Sequence, residues 1–341
     1  MKKCVCALAL GVCLFLTACG GKGSDQSQTS FLGEAADLEE TAVLVTVDGR
    51  KVSAWRYLYW LADTCDGIQE QYEKAGLRLD WNTPVTGGTL ADYARDQALA
   101  NTALYATVEN WAVKYGCALS ESDREALEGD WAEETKDGED AFLRKLRDRG
   151  LNRERMEELQ GVGGLYAKLF AQCQTPGSAL APDPAALKAF AEKEKRMTLD
   201  RILVAVKDDR AAAQQRAAEL FSQLNSAEDQ ASLFAALSAA GDDPKGPRTV
   251  TVGDGALSSA LEEAAATLEE GQCSGILESE EGFSILRRLP VDSAVILGEY
   301  FDSLLEEAAK GAVVEEAEAY QKIDPADFFE KLQSLRESAD S

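Results

Sequence analysis

Apolar positions recur along this chain with two periods, and the change from one to the other divides it into three stretches. Ala42 to Val52 reads as a strand, an Asp48-Gly49 turn and a short return strand, which predicts a hairpin. Ser53 stands where a helix cap is favoured. Trp55, Leu58, Tyr59 and Ala62, with Trp60 nearby, then give the following helix an apolar, aromatic-rich side. After a loop containing Asn82, Pro84, Gly87 and Gly88, the residues Leu90, Ala94, Ala98, Leu104, Val108, Trp111 and Tyr115 share one face at the helical period. A long helix over 89–115 follows from that spacing, with shorter ones over 122–135, 139–147 and 153–171.

The middle stretch has a different pattern. Asp183 and Pro184 occupy the favoured cap and first positions of a helix through Leu187, Phe190 and Ala191. Strands are expected over 199–206, 248–252, 276–277 and 283–287, the last two around a turn at Gly282. Helices are expected over 211–224 and 231–239. Ser259-Ala260-Leu261-Glu262 has capping-box spacing, and the helix it opens should stop at Gly271. This order suggests a compact α+β unit, not the alternating βα of a dinucleotide fold. In the tail, helical pieces are expected over 299–309 and 314–320, then a last helix over 325–335 carrying Phe328, Phe329 and Leu332.

Composition narrows the chemistry. The 341 residues suffice for two domains with real cores. There is no histidine, which excludes Ser-His-Asp and Cys-His triads and any zinc site with imidazole ligands. With 35 Lys+Arg against 60 Asp+Glu, the formal charge of −25 argues against nucleic acid as a partner. No cofactor motif or metal-ligand spacing is present, so no cofactor and no metal are expected.

The N-terminus suggests a location. Lys2 and Lys3 precede an apolar run from Val5 to Leu16, which is too short to span a bilayer as a helix, so a transmembrane anchor is the weaker alternative. Leu16-Thr17-Ala18-Cys19 resembles the lipobox of bacterial lipoproteins. That resemblance implies removal of a signal peptide over 1–18, lipid on Cys19, and a tether over 19–40 whose first part, Gly20 to Ser30, has no apolar residue. Cys65, Cys117, Cys173 and Cys273 then remain in the folded part. They read as small buried hydrophobes or as partners in one of three full pairings.

Several segments together resemble a known family. Asp200-Arg201-Ile202-Leu203-Val204 looks like the opening strand of a parvulin prolyl isomerase. Leu261-Glu262-Glu263-Ala264-Ala265, then Gly271 to Leu277, then Gly282-Phe283-Ser284-Ile285-Leu286, resemble its closing half without a gap. Val45 to Ser53 resembles the N-terminal hairpin of PrsA/SurA-type foldases, and Asp183 to Lys195 their helix leading into the parvulin unit. The resemblance implies an α+β protein: a mainly helical, SurA N-terminal-like chaperone domain over 41–180, completed by 293–341. A linker helix over 181–196 would lead into an inserted parvulin-like, FKBP-like domain over 197–292.

The same resemblance supplies site residues and exposes departures. The family's two pocket histidines fall on Arg201 and Ser284, its acid or thiol on Asp243, and the pair receiving the proline ring on Leu257 and Leu261. Ile202 and Phe283 join them as substrate-binding candidates on the two strands. Arg201, long and cationic, is expected to pair with Asp243 and occupy the site. The bland readings are a plain turn at Asp243-Pro244 and plain core for the leucines. The implied function is an extracytoplasmic, membrane-anchored foldase holding unfolded or newly exported chains with X-Pro bonds, its isomerase activity weakened by loss of both imidazoles. Alternatives are a holdase whose parvulin unit only binds, and a solute-binding lipoprotein of a transporter, which would show repeated βα units in two lobes. All five tryptophans, Trp55, Trp60, Trp81, Trp111 and Trp131, fall in the first half, where they suit either a client cradle or a core.

Overall fold

The computed structural model describes residues 31–136, 138–255 and 257–339. The signal peptide and the Cys19 anchor expected from the sequence lie outside the described residues. The chain divides into two compact units, one of residues up to 181 with 301–341, the other of 182–300.

The first unit opens with α1 (Phe31–Ala36), then β1 (Val43–Val47) and β2 (Arg50–Ser53), α2 (Ala54–Lys74), the short pair β3 (Pro84–Val85) and β4 (Gly88–Thr89), and α3 (Leu90–Lys114). α4 (Glu121–Thr135), α5 (Glu139–Asp148) and α6 (Arg153–Gln174) follow. The hairpin turns as expected: Asp48 and Gly49 both take positive φ, 47° and 81°, the geometry a two-residue turn between twisted strands requires. Thr89 caps α3 in a reciprocal box with Asp92, each side chain accepting from the other residue's backbone amide. α1 corrects the end of the expected tether: residues 31–36 form a helix in which Leu32 is fully buried.

The second unit runs through α7 (Pro184–Lys193), β5 (Arg196–Ala205), α8 (Arg210–Ser226), α9 (Gln230–Ala239), β6 (Arg248–Thr251), α10 (Ser259–Thr267), β7 (Leu277–Glu278) and β8 (Gly282–Leu289). Its four strands form one antiparallel sheet in the order β6-β5-β8-β7. Alternation along β5 and β8 splits the sheet into two faces. On one, Ile202, Val204, Phe283 and Ile285 pack against Ala213, Ala217 and Leu224 of α8 and Phe234 of α9. On the other, Leu199 and Leu286 pack against Leu261 and Ala265 of α10. Gly282 opens β8 at φ 143°, and a side chain there would meet the Val204 carbonyl oxygen at 2.2 Å, so close strand pairing requires glycine.

The capping box predicted at Ser259 is not formed. The N-cap is Ser258, without a side-chain cap bond, and the Glu262 carboxylate instead accepts from the amides of Gly253 and Gly255, at 3.2 and 3.3 Å. The helix also stops at Thr267, four residues short of Gly271.

α11 (Ser293–Gly311) contains the division between the units. β9 (Val314–Glu316), a 3-10 turn (Tyr320–Lys322) and α12 (Pro325–Ala339) complete the first unit. The helix expected over 314–320 is therefore corrected: its first residues form a strand against β1, giving the sheet order β2-β1-β9. α12 buries Phe328, Phe329 and Leu332, and Arg336 grips both oxygens of Asp66 in α2 at 2.7 and 3.0 Å. Arg56, 6% exposed, donates to both oxygens of Glu109 at 3.1 Å and lies 3.4 Å from Glu158, tying α2 to α3 and α6. Trp55 and Trp131 are buried and the other tryptophans half-buried: Trp60 lies against Tyr59 and Tyr105, Trp81 against Phe329, Trp111 against Phe301, Trp131 against Phe142, and Trp55 beneath Arg155. The four cysteines in the described residues are free thiols, of which Cys65 and Cys173 are buried.

Candidate active site

The α10 side of the second unit's sheet gathers most of the sequence-derived candidates. Register places Leu203 opposite Ser284 and Arg201 opposite Leu286, making Arg201 and Ser284 diagonal neighbours on this face. They meet: Arg201 Nε donates to Ser284 Oγ at 3.0 Å, and Ser284 is wholly buried. The two positions where imidazoles were missed thus form one polar contact in the sheet floor.

Asp243 stands in the loop after α9. Its neighbour Asp242 anchors that loop to the end of β5, accepting from the Ala205 amide at 3.0 Å while its own amide donates to the Leu203 carbonyl at 3.1 Å. Asp243 itself accepts from Arg248 Nη2 at 2.5 Å and lies 3.6 Å from Lys245 Nζ. Burial alone would raise its pKa, but the Arg248 hydrogen bond and charge, with Lys245 and Arg201 behind them, hold it below the ordinary carboxylate range. Asp243 is therefore an anion at neutral pH.

The expected Arg201 to Asp243 pair is corrected. Arg201 turns its Nη2 to Glu281 Oε2 at 2.6 Å, and Arg248, on the adjacent strand and five residues from Asp243, takes the acid. Arg201 still contributes its charge to Asp243 without bonding it. Leu257 and Leu261 do lie on this face, but Leu261 is only 3% exposed and belongs to the core with Leu199 and Leu286, with Leu257 partly buried against it. Ile202 and Phe283 point to the opposite face, inside the helix-covered core, and do not join the others.

Sequence reasoning missed Glu281, Asp242 and Arg248. Glu281 carried no register signal: its backbone pairs with Val206, five residues beyond Arg201, and only the length of the Arg201 side chain brings the two together.

Residues 197–289 match the Rotamase family, the PPIC-type PPIase domain. The matched span takes in the sheet from the second residue of β5 onward, the three covering helices α8, α9 and α10, and Arg201, Ser284 and Asp243. Among solved structures, PrsA from Bacillus cereus aligns over 89% of this chain and 94% of its own, at 18% identity and a TM-score of 0.25. PrsA from Bacillus subtilis aligns over the same shares, 89% and 94%, at 15% identity and a TM-score of 0.25. A Campylobacter jejuni structure, titled as one of two SurA-like chaperones, aligns over 81% of this chain and 99% of its own, at 12% identity and a TM-score of 0.22. A search of curated proteins finds no match to the chain.

Proposed function

We propose that the chain is an extracytoplasmic foldase, anchored through lipid on Cys19, that holds unfolded or newly exported polypeptides and slowly isomerises X-Pro bonds in its PPIC-type domain. The observation that carries the reading is the match over 197–289 together with the meeting of Arg201 and Ser284 on one sheet face, with Asp243 within reach of the same charge field.

The chemistry tolerates the missing imidazoles. Rotation about a peptide bond faces a barrier of about 18–20 kcal/mol and forms no covalent intermediate; the protein need only favour the twisted amide. Fixed dipoles near the carbonyl can do part of that, and the uncatalysed step takes about 10–100 s at 25 °C, which leaves room for a weak catalyst. Here the fixed groups are the Arg201 guanidinium, steadied by Ser284, and the Asp243 carboxylate.

A second reading, a holdase whose domain binds without turnover, is favoured by the burial of Leu261 in the core and by the Arg201 to Glu281 bridge over the floor. A protease-coupled assay on a proline tetrapeptide, run beside an aggregation assay, separates the two. Turnover above the spontaneous rate supports the foldase; protection without turnover moves the protein to the holdase. No helix of the described residues is long and apolar enough to cross a membrane. Replacing Cys19 by Ala is expected to abolish labelling by a radioactive fatty acid, and normal labelling of the variant rejects the anchor.

A further inference from the structure

The helical unit encloses a small cavity where α2, α3 and α6 come together. Tyr59, Tyr105, Leu151, Met156 and Leu159 line it and are all buried, and Arg149 is the exposed member of the lining. The space open to the centre of a water molecule there is about 10 Å³. One water needs about 10–15 Å³ so counted, which puts the cavity at the lower limit for a single molecule and far below what an aromatic guest requires.

Two polar side chains complete the lining, Trp60 from α2 and Gln160 from α6. The indole Nε1 of Trp60 and the Oε1 of Gln160 are both shut off from solvent, and neither has a hydrogen-bond partner among the described residues, so they do not bond each other. Burying a donor or an acceptor unpaired is costly, and native interiors seldom leave either alone. The indole is kept from turning away by the rings on either side, with centroids 4.9 Å from Tyr59 and 4.7 Å from Tyr105. An indole N–H can only donate and an amide oxygen can only accept, so each needs what the other cannot reach across the cavity to give.

The chemistry of the lining selects the ligand. Burial pushes the Tyr105 phenol up to about 12 and raises that of Tyr59 as well, so both rings are uncharged at neutral pH. An anion would face the Gln160 oxygen, and a cation would face the indole N–H with Arg149 beside it. A neutral molecule that both donates and accepts fits, and of that class water alone is small enough.

We infer that one water molecule is bound between Trp60 and Gln160, accepting from the indole N–H and donating to the amide oxygen, and that it joins α2 to α6. Two partners meet the minimum for a buried water. One turn earlier on α2, Arg56 lies 3.4 Å from Glu158 of α6, whose side chain is 44% exposed. The water adds to that solvent-screened pair a second link on the same seam, closed off from solvent.

The test is cross-relaxation between water and protein protons in the isotope-labelled full chain. The Trp60 indole proton, identified by its disappearance in Trp60→Phe, should show a cross-peak to water with the sign of a long-lived bound molecule. Gln160→Met, which keeps the volume and removes the acceptor, should abolish that cross-peak while the other indole signals stay where they were. No cross-peak in the wild type overturns the inference, since the cavity would then be dry or the two side chains would have closed directly on each other. A cross-peak that survives Gln160→Met also overturns it, because the water would not be a bridge. Should Gln160→Met fail to fold, seen by circular dichroism, the wild-type cross-peak decides alone.

Discussion

The two units are closed in different ways. The sheet unit is one continuous stretch, and its strands pair with neighbours inside some 90 residues, from Arg196 to Leu289. The helical unit is assembled from both flanks of that stretch. Its sheet is completed by β9, whose Glu316 lies opposite Val45, and Arg336 reaches back to Asp66. Both contacts join residues more than 260 positions apart. Burial of apolar surface drives both units, but only the helical one must close so long a loop before its core is complete. The difference teaches that the helical unit's integrity depends on a few tail residues, while the sheet unit carries its determinants within itself.

Phe328→Ala tests the first half of that comparison. Phe328 is buried in α12, and truncation should cost about 3–5 kcal/mol of stability, confined to the helical unit. Hydrogen exchange read separately for residues 182–300 should stay unchanged; equal loss in both units would show that they do not unfold independently. Gly282→Ala is the converse, since its φ of 143° and the close Val204 carbonyl admit no side chain. It should destabilise the sheet unit by about 2–3 kcal/mol and leave exchange in α2 and α3 as it was.

A smaller effect concerns catalysis. Arg201→His with Ser284→His should raise kcat/KM on a proline tetrapeptide by about tenfold, or about 1.4 kcal/mol of transition-state stabilisation. Asp243→Ala should lower whatever turnover the parent shows, with aggregation suppression unchanged in both. No turnover in the parent and no gain in the double variant would favour the holdase.

The smallest effect is that of pH. In the sheet unit, Asp229 is held low by the Ser232 hydroxyl and amide, Asp242 by the Ala205 amide, and Asp243 by Arg248 against its burial. Depressed carboxylates stabilise the fold above their unfolded value, near 4, and that contribution is lost as pH falls through the folded values. In the helical unit, burial raises Asp63 against Arg149, Glu158 against Arg56, and Asp302 against the Tyr166 hydrogen bond, although the caps Asp92 and Asp123 are lowered. A raised carboxylate contributes fully below its unfolded value and loses that contribution as pH rises through the folded one. Acidifying from neutral pH through the raised folded values should therefore steady the helical unit slightly while leaving the sheet unit level, and only below about pH 4, the ordinary carboxylate range, should the sheet unit weaken. Thermal melts followed by exchange in each unit check the order, and weakening of the sheet unit first, above pH 5, contradicts it.

Much of this was legible in the sequence because the signals were local. Asp-Gly forced the hairpin, Asp183-Pro184 opened α7, and long helical periodicity located α3. The failures have non-local causes. Val314–Glu316 is a strand only because β1 offers it an edge, a partner that no window around residue 314 contains. Ser259 and Glu262 have capping-box spacing, but the amides of Gly253 and Gly255 compete for the carboxylate. Phe31–Ala36 is too short to announce itself beside a polar run, and its helix is held by packing of Leu32. At the site, strand alternation brought Arg201 to Ser284, whereas its salt partner was decided by loop geometry: Arg248 reached Asp243 first and left Arg201 to Glu281.

The late strand β9 also sets an order of events. A chain made from its N-terminus would present the sheet unit whole once residue 300 had emerged, while α1, α2 and α3 still lacked β9 and α12. Nascent helices would then wait with apolar faces uncovered, at a synthesis rate of about 5–20 residues per second, for the stretch that seats Phe328. A protein proposed to shelter unfinished chains would thus itself stay unfinished until the stretch that carries β9 and α12 had been made.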